Sequence, residues 1–399
     1  MKKLLPIFLC FLFLFSGCSE TKRYPADDTF HFETDAQVSA FSQSKRRVIA
    51  ESPDGYYFAF TLNGSRFLFF ADKETLQVVP VCSKPNCLHY DEPEEQKRYL
   101  CNAYLTSMIG KPSFFWNNGK LYTLEYGNVS NELVVTEIAL DGSSKKTVFS
   151  LINEETDPNN VAFHRGHFYA MVNTYDEDMR SVMRIWDYSL DHPSRKRACL
   201  FELKAEKGVL MDLQAYGNHL YFSSLVDGVK KFHTIDLRTG ECKIICDIAQ
   251  VNDSAYHMTF FQDRLLFEIS HEEPGKELYE LKATLYTADL DGENIQKWKD
   301  TDFCGFTSDG QYVYEWLDGP FIKMVDQPYI RIYDQQGDMV VNYNPLDGDI
   351  QNFYDIFVAP GEHVFIYDHF KLFCFSKSEI STGTISPKLL LDVSGYEHS

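Results

Sequence analysis

The chain lacks the contiguous signatures by which many enzymes announce themselves. It has no Gly-x-Ser-x-Gly elbow, phosphate-binding loop, dinucleotide fingerprint or His-Glu-x-x-His helix. Catalytic residues can also be scattered along a chain, so this absence weakens the enzyme reading without removing it. Basic residues are scarce: 38 Lys and Arg stand against 58 Asp and Glu, a net charge of −20. Such a chain is repelled by phosphate backbones and anionic lipid, which excludes nucleic acid as a partner. Cysteine is sparse as well, ten in 399 residues, too few for a disulfide scaffold. Apolar residues at helical spacing are rare, which argues against a bundle of helices.

Aromatic side chains are plentiful, 15% of residues, and they recur. A short turn followed by two large apolar residues appears at Tyr56-Tyr57, Leu121-Tyr122, Phe168-Tyr169, Leu220-Tyr221, Leu265-Leu266, Val313-Tyr314 and Val364-Phe365. From the second member of each pair the steps are 65, 47, 52, 45, 48 and 51 residues. A period of roughly 40 to 50 residues made of short strands is the pattern of a β-propeller. Each unit reads as four strands with turns such as Leu140-Asp141-Gly142, Leu237-Arg238-Thr239-Gly240 and Leu290-Asp291-Gly292. Strands such as Tyr57-Phe58-Ala59-Phe60 are apolar on both faces, as blades stacked on two neighbours require and a two-layer sandwich does not. The expectation is an all-β fold of seven four-stranded blades at 47–86, 112–151, 160–203, 209–248, 255–301, 304–345 and 352–393, with six or eight as alternatives. The first and last units each hold four strands, so the way the ring closes cannot be read.

The long first step contains Cys82-Ser-Lys-Pro-Asn-Cys87-Leu-His89, followed by Cys101. Three thiolates and an imidazole make a full tetrahedral set for zinc in a structural role, because four protein ligands leave no open position. The alternative is a disulfide among Cys82, Cys87 and Cys101, or free thiols. The acid-rich stretch Tyr90 to Leu100 has no packing logic of its own and gains from any cross-link.

Residues 1–17 read as an export signal, with Lys2 and Lys3 ahead of the apolar run Leu4 to Phe15, which is too short to span a bilayer. The ending Phe15-Ser16-Gly17-Cys18 resembles the lipobox of bacterial lipoproteins. That resemblance implies a lipid-modified Cys18 and attachment at the outer face of a membrane. Without the signal the net charge is 36 − 58 = −22. Residues 18–46 read as a polar tether, with Thr29 to Glu33 able to add an edge strand, and 47–399 as the folded domain with a Cys/His insertion at 82–101. Ser52-Pro53-Asp54-Gly55-Tyr56 and Ser308-Asp309-Gly310-Gln311-Tyr312 look like turns of TolB-type and WD40-like propellers. The Cys-x4-Cys-x-His block resembles a segment of surface lipoproteins of Gram-positive anaerobes and brings no activity with it.

Other candidates have bland readings. His164-Arg165-Gly166-His167 and Asp289-Leu290-Asp291-Gly292-Glu293 read as turn chemistry, the second lacking the distant bidentate Glu of a calcium loop. Cys242 and Cys246 would lie about 13 Å apart on one strand face, too far to bond. Cys199, Cys246, Cys304 and Cys374 read as small buried apolar residues. The functional expectation is an extracytoplasmic, membrane-anchored binding or interaction module for a protein or carbohydrate ligand at the mouth of the channel. The alternatives are a propeller enzyme acting on carbohydrate or peptide, and a purely structural scaffold.

Overall fold

A computed structural model describes residues 27–37, 49–106, 114–126, 132–151, 160–245, 253–271, 282–302, 305–317, 328–350 and 353–396. Cys18, Cys246 and Cys304 lie outside these residues. Within them the chain forms seven antiparallel sheets, each holding four strands consecutive in sequence, with a short fifth strand added to the first sheet. The sheets cover 50–80, 114–150, 160–205, 208–245, 253–302, 305–343 and 353–392, within three residues of the expected blades with one exception. The first, expected to reach 86, has its fourth strand end at Pro80, where the Cys/His insertion leaves the sheet. Helix is confined to short turns such as the four-residue α1 (Glu95–Arg98).

Seven apolar clusters hold the sheets together, and each draws on two neighbouring blades, including one that joins the seventh blade to the first. That pattern closes a ring. It also explains the period, since the anchor pairs sit in second strands and are all buried. First strands of adjacent blades touch one another and are largely buried, whereas fourth strands such as Lys145–Ser150 and Cys242–Ile245 are mostly half-exposed or exposed. The first strands therefore line the axis and the fourth strands form the rim.

The ring closes without a shared strand. Blade 1 consists of β1 (Ala50–Glu51), β2 (Gly55–Leu62), β3 (Ser65–Asp72) and β4 (Val78–Pro80), and blade 7 has its own four strands. Side chains make the seam. Tyr56 meets Phe365 edge-on at 4.8 Å and Phe60 stacks on Tyr367 at 5.1 Å. The Tyr56 hydroxyl hydrogen-bonds His363 Nδ1 at 2.8 Å, and the buried Glu51 carboxylate accepts from the Gly361 N–H at 2.7 Å.

Cys199 corrects the expectation of burial. It lies on the outermost strand of blade 3, where its thiol is exposed at the rim and reaches the Phe201 carbonyl at 3.2 Å. Cys374, on the third strand of blade 7, is buried as expected.

Candidate functional site

The edge of blade 1 is broken, and the cysteine cluster sits at the break. β4 pairs with one half of β3, Ala71 facing Val78 and Phe69 facing Pro80. The other half pairs with a second short strand, β5 (Tyr104–Leu105), through Phe67 opposite Tyr104 and Arg66 opposite Leu105. Residues 82–101 leave the sheet between these two pieces. A turn with Asn86 in the left-handed region (φ 59°) carries Cys87 back towards Cys82. His89, also left-handed at φ 53°, then opens a single turn of 3₁₀ helix, His89–Asp91. After α1 the chain returns, with Cys101 N–H donating to the Arg98 carbonyl at 3.0 Å.

Cys82, Cys87, His89 and Cys101 thereby offer four ligand atoms that all lie within 4.8 Å of one another, with His89 Nδ1 at 3.4 Å from Cys101 Sγ. The three thiols are unpaired. Burial pushes the Cys101 thiol up to about 12 and holds His89 below its ordinary value, so the imidazole is neutral at pH 7. At Cys82 burial acts the same way, but the Lys84 and Asn102 N–H groups and the neighbouring thiols outweigh it, and the thiol lies below its usual range. The donor set and its spread fit a tetrahedral soft-metal centre.

The insertion is tied to the body on both sides. Arg98 donates to the Asn63 carbonyl at 2.7 Å, and Tyr90 packs on Phe67, Phe69 and Tyr396 at 6.0, 5.8 and 5.2 Å. On the other side lies the Leu140-Asp141-Gly142 turn of blade 2. Its Gly142 carbonyl accepts from Asn102 Nδ2 at 2.7 Å and from Ser83 N–H at 3.3 Å. Gly142 has φ +69°, and a Cβ there would come within 2.5 Å of the Cys82 nitrogen. What reads in the sequence as a hairpin glycine is also the floor of the cluster.

A second feature was not legible. Residues 18–46 as a free tether, and Thr29 to Glu33 as an edge strand, do not hold for Asp27–Gln37, which form a turn-containing strap with no strand. The strap runs over the turns joining first to second strands at one end of the ring. Asn218 N–H donates to the Asp28 carboxylate at 2.8 Å in blade 4, Arg165 N–H to the Thr34 carbonyl at 2.6 Å in blade 3, and Asn117 Nδ2 to the same carbonyl at 2.7 Å in blade 2. Gln37 exchanges hydrogen bonds of 2.7 and 2.8 Å with the Glu51 backbone in blade 1. At its centre the Arg165 guanidinium grips Asp35 through two bonds of 2.8 and 3.0 Å, both side chains buried. His164 is fully buried, accepts from Ala36 N–H through Nδ1 at 3.1 Å and donates through Nε2 to the Gly217 carbonyl at 2.7 Å. Burial drives its pKa down to about 4, so it is neutral. The His164-Arg165-Gly166-His167 segment is thus a turn, as expected, and also the socket of the strap. Asp289 to Glu293 is a turn closed by its own backbone, Gly292 N–H donating to the Asp289 carbonyl at 2.8 Å.

A cavity lies beside the strap at the same end of the ring. Phe30, together with first-strand ends and turns of blades 4 to 7, encloses a cavity of about 250 Å³. Tyr216 and Phe260, stacked at 4.5 Å, form one wall, and Val358, Ala359 and Pro360 another. Two carboxylates reach it. Asp263 accepts from the Tyr216 hydroxyl, and Asp309 is held by the Tyr314 hydroxyl at 2.9 Å and by Lys377 at 2.9 Å.

No protein-family model matches the chain, and no curated protein matches it in sequence. Solved structures do share its fold. A prolyl endopeptidase is similar over 91% of this chain and 51% of its own, with a TM-score of 0.56 and 12% identity. Oligogalacturonate lyase from Vibrio parahaemolyticus is similar over 92% of this chain and 93% of its own, with a TM-score of 0.54 and 10% identity. The chain therefore spans about half of the first protein and nearly all of the second. A TolB-type protein of Agrobacterium tumefaciens matches 65% of this chain and 81% of its own at 12% identity, but its TM-score of 0.36 is too low to carry an argument. At such identities the likeness shows the propeller fold alone.

Proposed function

We propose that this chain is a lipid-anchored, extracytoplasmic propeller that binds a ligand at the strapped mouth of its channel, with zinc at Cys82, Cys87, His89 and Cys101 as a structural staple. The observation that carries the binding reading is the state of the pocket's carboxylates. Asp309 is neutralised by Lys377 and both acids are already engaged by tyrosine hydroxyls, beside a wall of stacked aromatics. A hydrolase working through two carboxylates needs one of them poised as an acid, and this arrangement favours binding instead. A protein or carbohydrate ligand fits the same surface; nucleic acid does not, because of charge.

The zinc reading rests on the convergence of the four ligand atoms where the edge strand of blade 1 is split. A metal there would fix both ends of the insertion at once, and its four protein ligands would leave no site for substrate. The purified full chain is expected to carry about one zinc per molecule, and removal by a chelator is expected to speed proteolysis between Tyr90 and Leu100. Absence of stoichiometric metal, with a free-thiol count that rises by two on reduction, would leave a disulfide in its place.

Anchoring rests on the lipobox-like ending at Cys18. Eight residues, 19–26, separate Cys18 from the first residue of the strap. Such a leash would keep the strapped end of the ring towards the membrane. Cys18→Ser is expected to release the protein from the membrane fraction; incorporation of labelled fatty acid into that variant would refute the anchor.

A further inference from the structure

The pocket's chemistry points to one class of ligand, an inference that rests on the binding reading above. Its charged lining consists of two carboxylates, Asp263 and Asp309, with the Gln262 amide and the Tyr216 hydroxyl as the neutral polar side chains. Asp263 is exposed to the cavity, and no Lys or Arg among the described residues pairs with it. Lys377 is consumed by Asp309 at 2.9 Å and by the Ala359 carbonyl at 2.7 Å, and Arg264, next to Asp263 in the chain, turns to Asp289 at 3.2 Å. Asp28 lies on the same rim, accepting from the Asn218 N–H two residues beyond Tyr216. The charged side chains lining the cavity are both carboxylates, which disfavours an anionic ligand. Three aromatic rings line the same cavity as Asp263: Phe30 from the strap, and the stacked Tyr216 and Phe260. A carboxylate beside π faces is the environment that attracts an organic cation, because the ring quadrupole and the negative charge act in the same direction. The net charge of −20 adds a long-range field of the same sign.

We propose that this pocket binds an organic cation, a guanidinium or alkylammonium group, with Asp263 as its counter-ion and Phe30, Tyr216 and Phe260 as its aromatic wall. Phe30 makes the site depend on the strap. Without Asp27–Gln37 docked, the pocket loses one of its three rings and opens to water. The strap is thus a wall of the ligand site as well as a cover for the channel.

The test uses the full chain and three small probes followed by calorimetry: N-acetyl-arginine methylamide, its uncharged analogue N-acetyl-citrulline methylamide, and glucose. The arginine probe is expected to bind, and the citrulline probe to bind about tenfold more weakly or not at all. Asp263→Asn keeps an acceptor for the Tyr216 hydroxyl while removing the charge, and should weaken the arginine probe by about tenfold. Phe30→Ala leaves the Asp35–Arg165 grip intact and should weaken it by several-fold. Equal affinity for the two amino-acid probes, or indifference of arginine binding to Asp263→Asn, would overturn the cation proposal. Binding of glucose alone would overturn it while leaving the binding reading standing. No heat from any of the three at millimolar concentration would sink both.

Discussion

Gly142 shows how one residue can answer to two levels of structure. Its left-handed φ of +69° is what a hairpin turn asks of it, but the missing Cβ is demanded by Cys82 of the neighbouring blade. Gly240 occupies a comparable turn of blade 4 with φ +76° and has nothing within 4 Å of where a Cβ would stand. Substitution by Ala should therefore cost roughly 1 kcal/mol at Gly240, the conformational term alone. At Gly142 it should cost about 2–3 kcal/mol, because backbone must also move. Denaturant midpoints of the two variants would check this, and equal losses would mean that the insertion does not rest on Gly142. The cluster is legible at this scale because its residues are rare and close in sequence. Cys82, Cys87 and His89 fall within one turn, so their types and spacing announce a donor set before any fold is known. Gly142 gives no such sign, since its spacing is that of every other hairpin glycine in the chain.

At the scale of an element, the strap has no regular structure and holds its place by polar contacts. Its strongest grip, Asp35 on Arg165, is buried, and breaking one half of a buried pair typically costs about 3–5 kcal/mol. Asp35→Asn should undock Asp27–Gln37 and hasten chymotryptic cleavage at Phe30 and Phe32, with the ring left folded. Unchanged cleavage would show that the backbone bonds suffice. Acid should act on the same element. His164 has a folded pKa of about 4 against 6.5 unfolded, so the unfolded chain takes up the proton first. The stability that rests on neutral His164 is complete above pH 6.5, falls as pH drops towards 4, and levels off below it, for a total of about 3 kcal/mol. Asp35, Arg165, His167 and the Gly217 carbonyl face the ring, and the Asp35 charge is already engaged by Arg165. His164→Gln should flatten this part of the stability profile between pH 6.5 and 4.5. An identical slope in both proteins would assign the acid sensitivity to other groups.

For the whole molecule, the seam between blades 7 and 1 decides whether the ring stays closed. Many rings could be imagined to need a strand exchanged across that seam; here the packing of Tyr56, Phe58 and Phe60 against Phe357, Phe365 and Tyr367 does the work. If the seam is an ordinary interface, Phe365→Ala should cost about 3–5 kcal/mol, as much as Phe168→Ala at the interface between blades 2 and 3. A loss below 1 kcal/mol at Phe365, against a full loss at Phe168, would reveal an open ring. The measurement is the equilibrium unfolding of each variant.

The sequence by itself determined the seven blades, their limits and the metal-type donor set. Each rests on local information: turn residues, strand alternation and a period that repeats because every blade must present an anchor pair to its neighbour. Tertiary structure alone decided the seam, the strap and the pocket. Tyr56 meets His363 across 307 residues, Arg165 meets Asp35 across 130, and Phe30 joins a cavity built by four blades. A polar, aliphatic-poor segment looks like a tether in sequence because its partners are backbone N–H groups, two asparagines, one arginine and one histidine in distant turns. Only folding the ring brings these partners to a common face, and burial then turns ordinary turn residues into a socket.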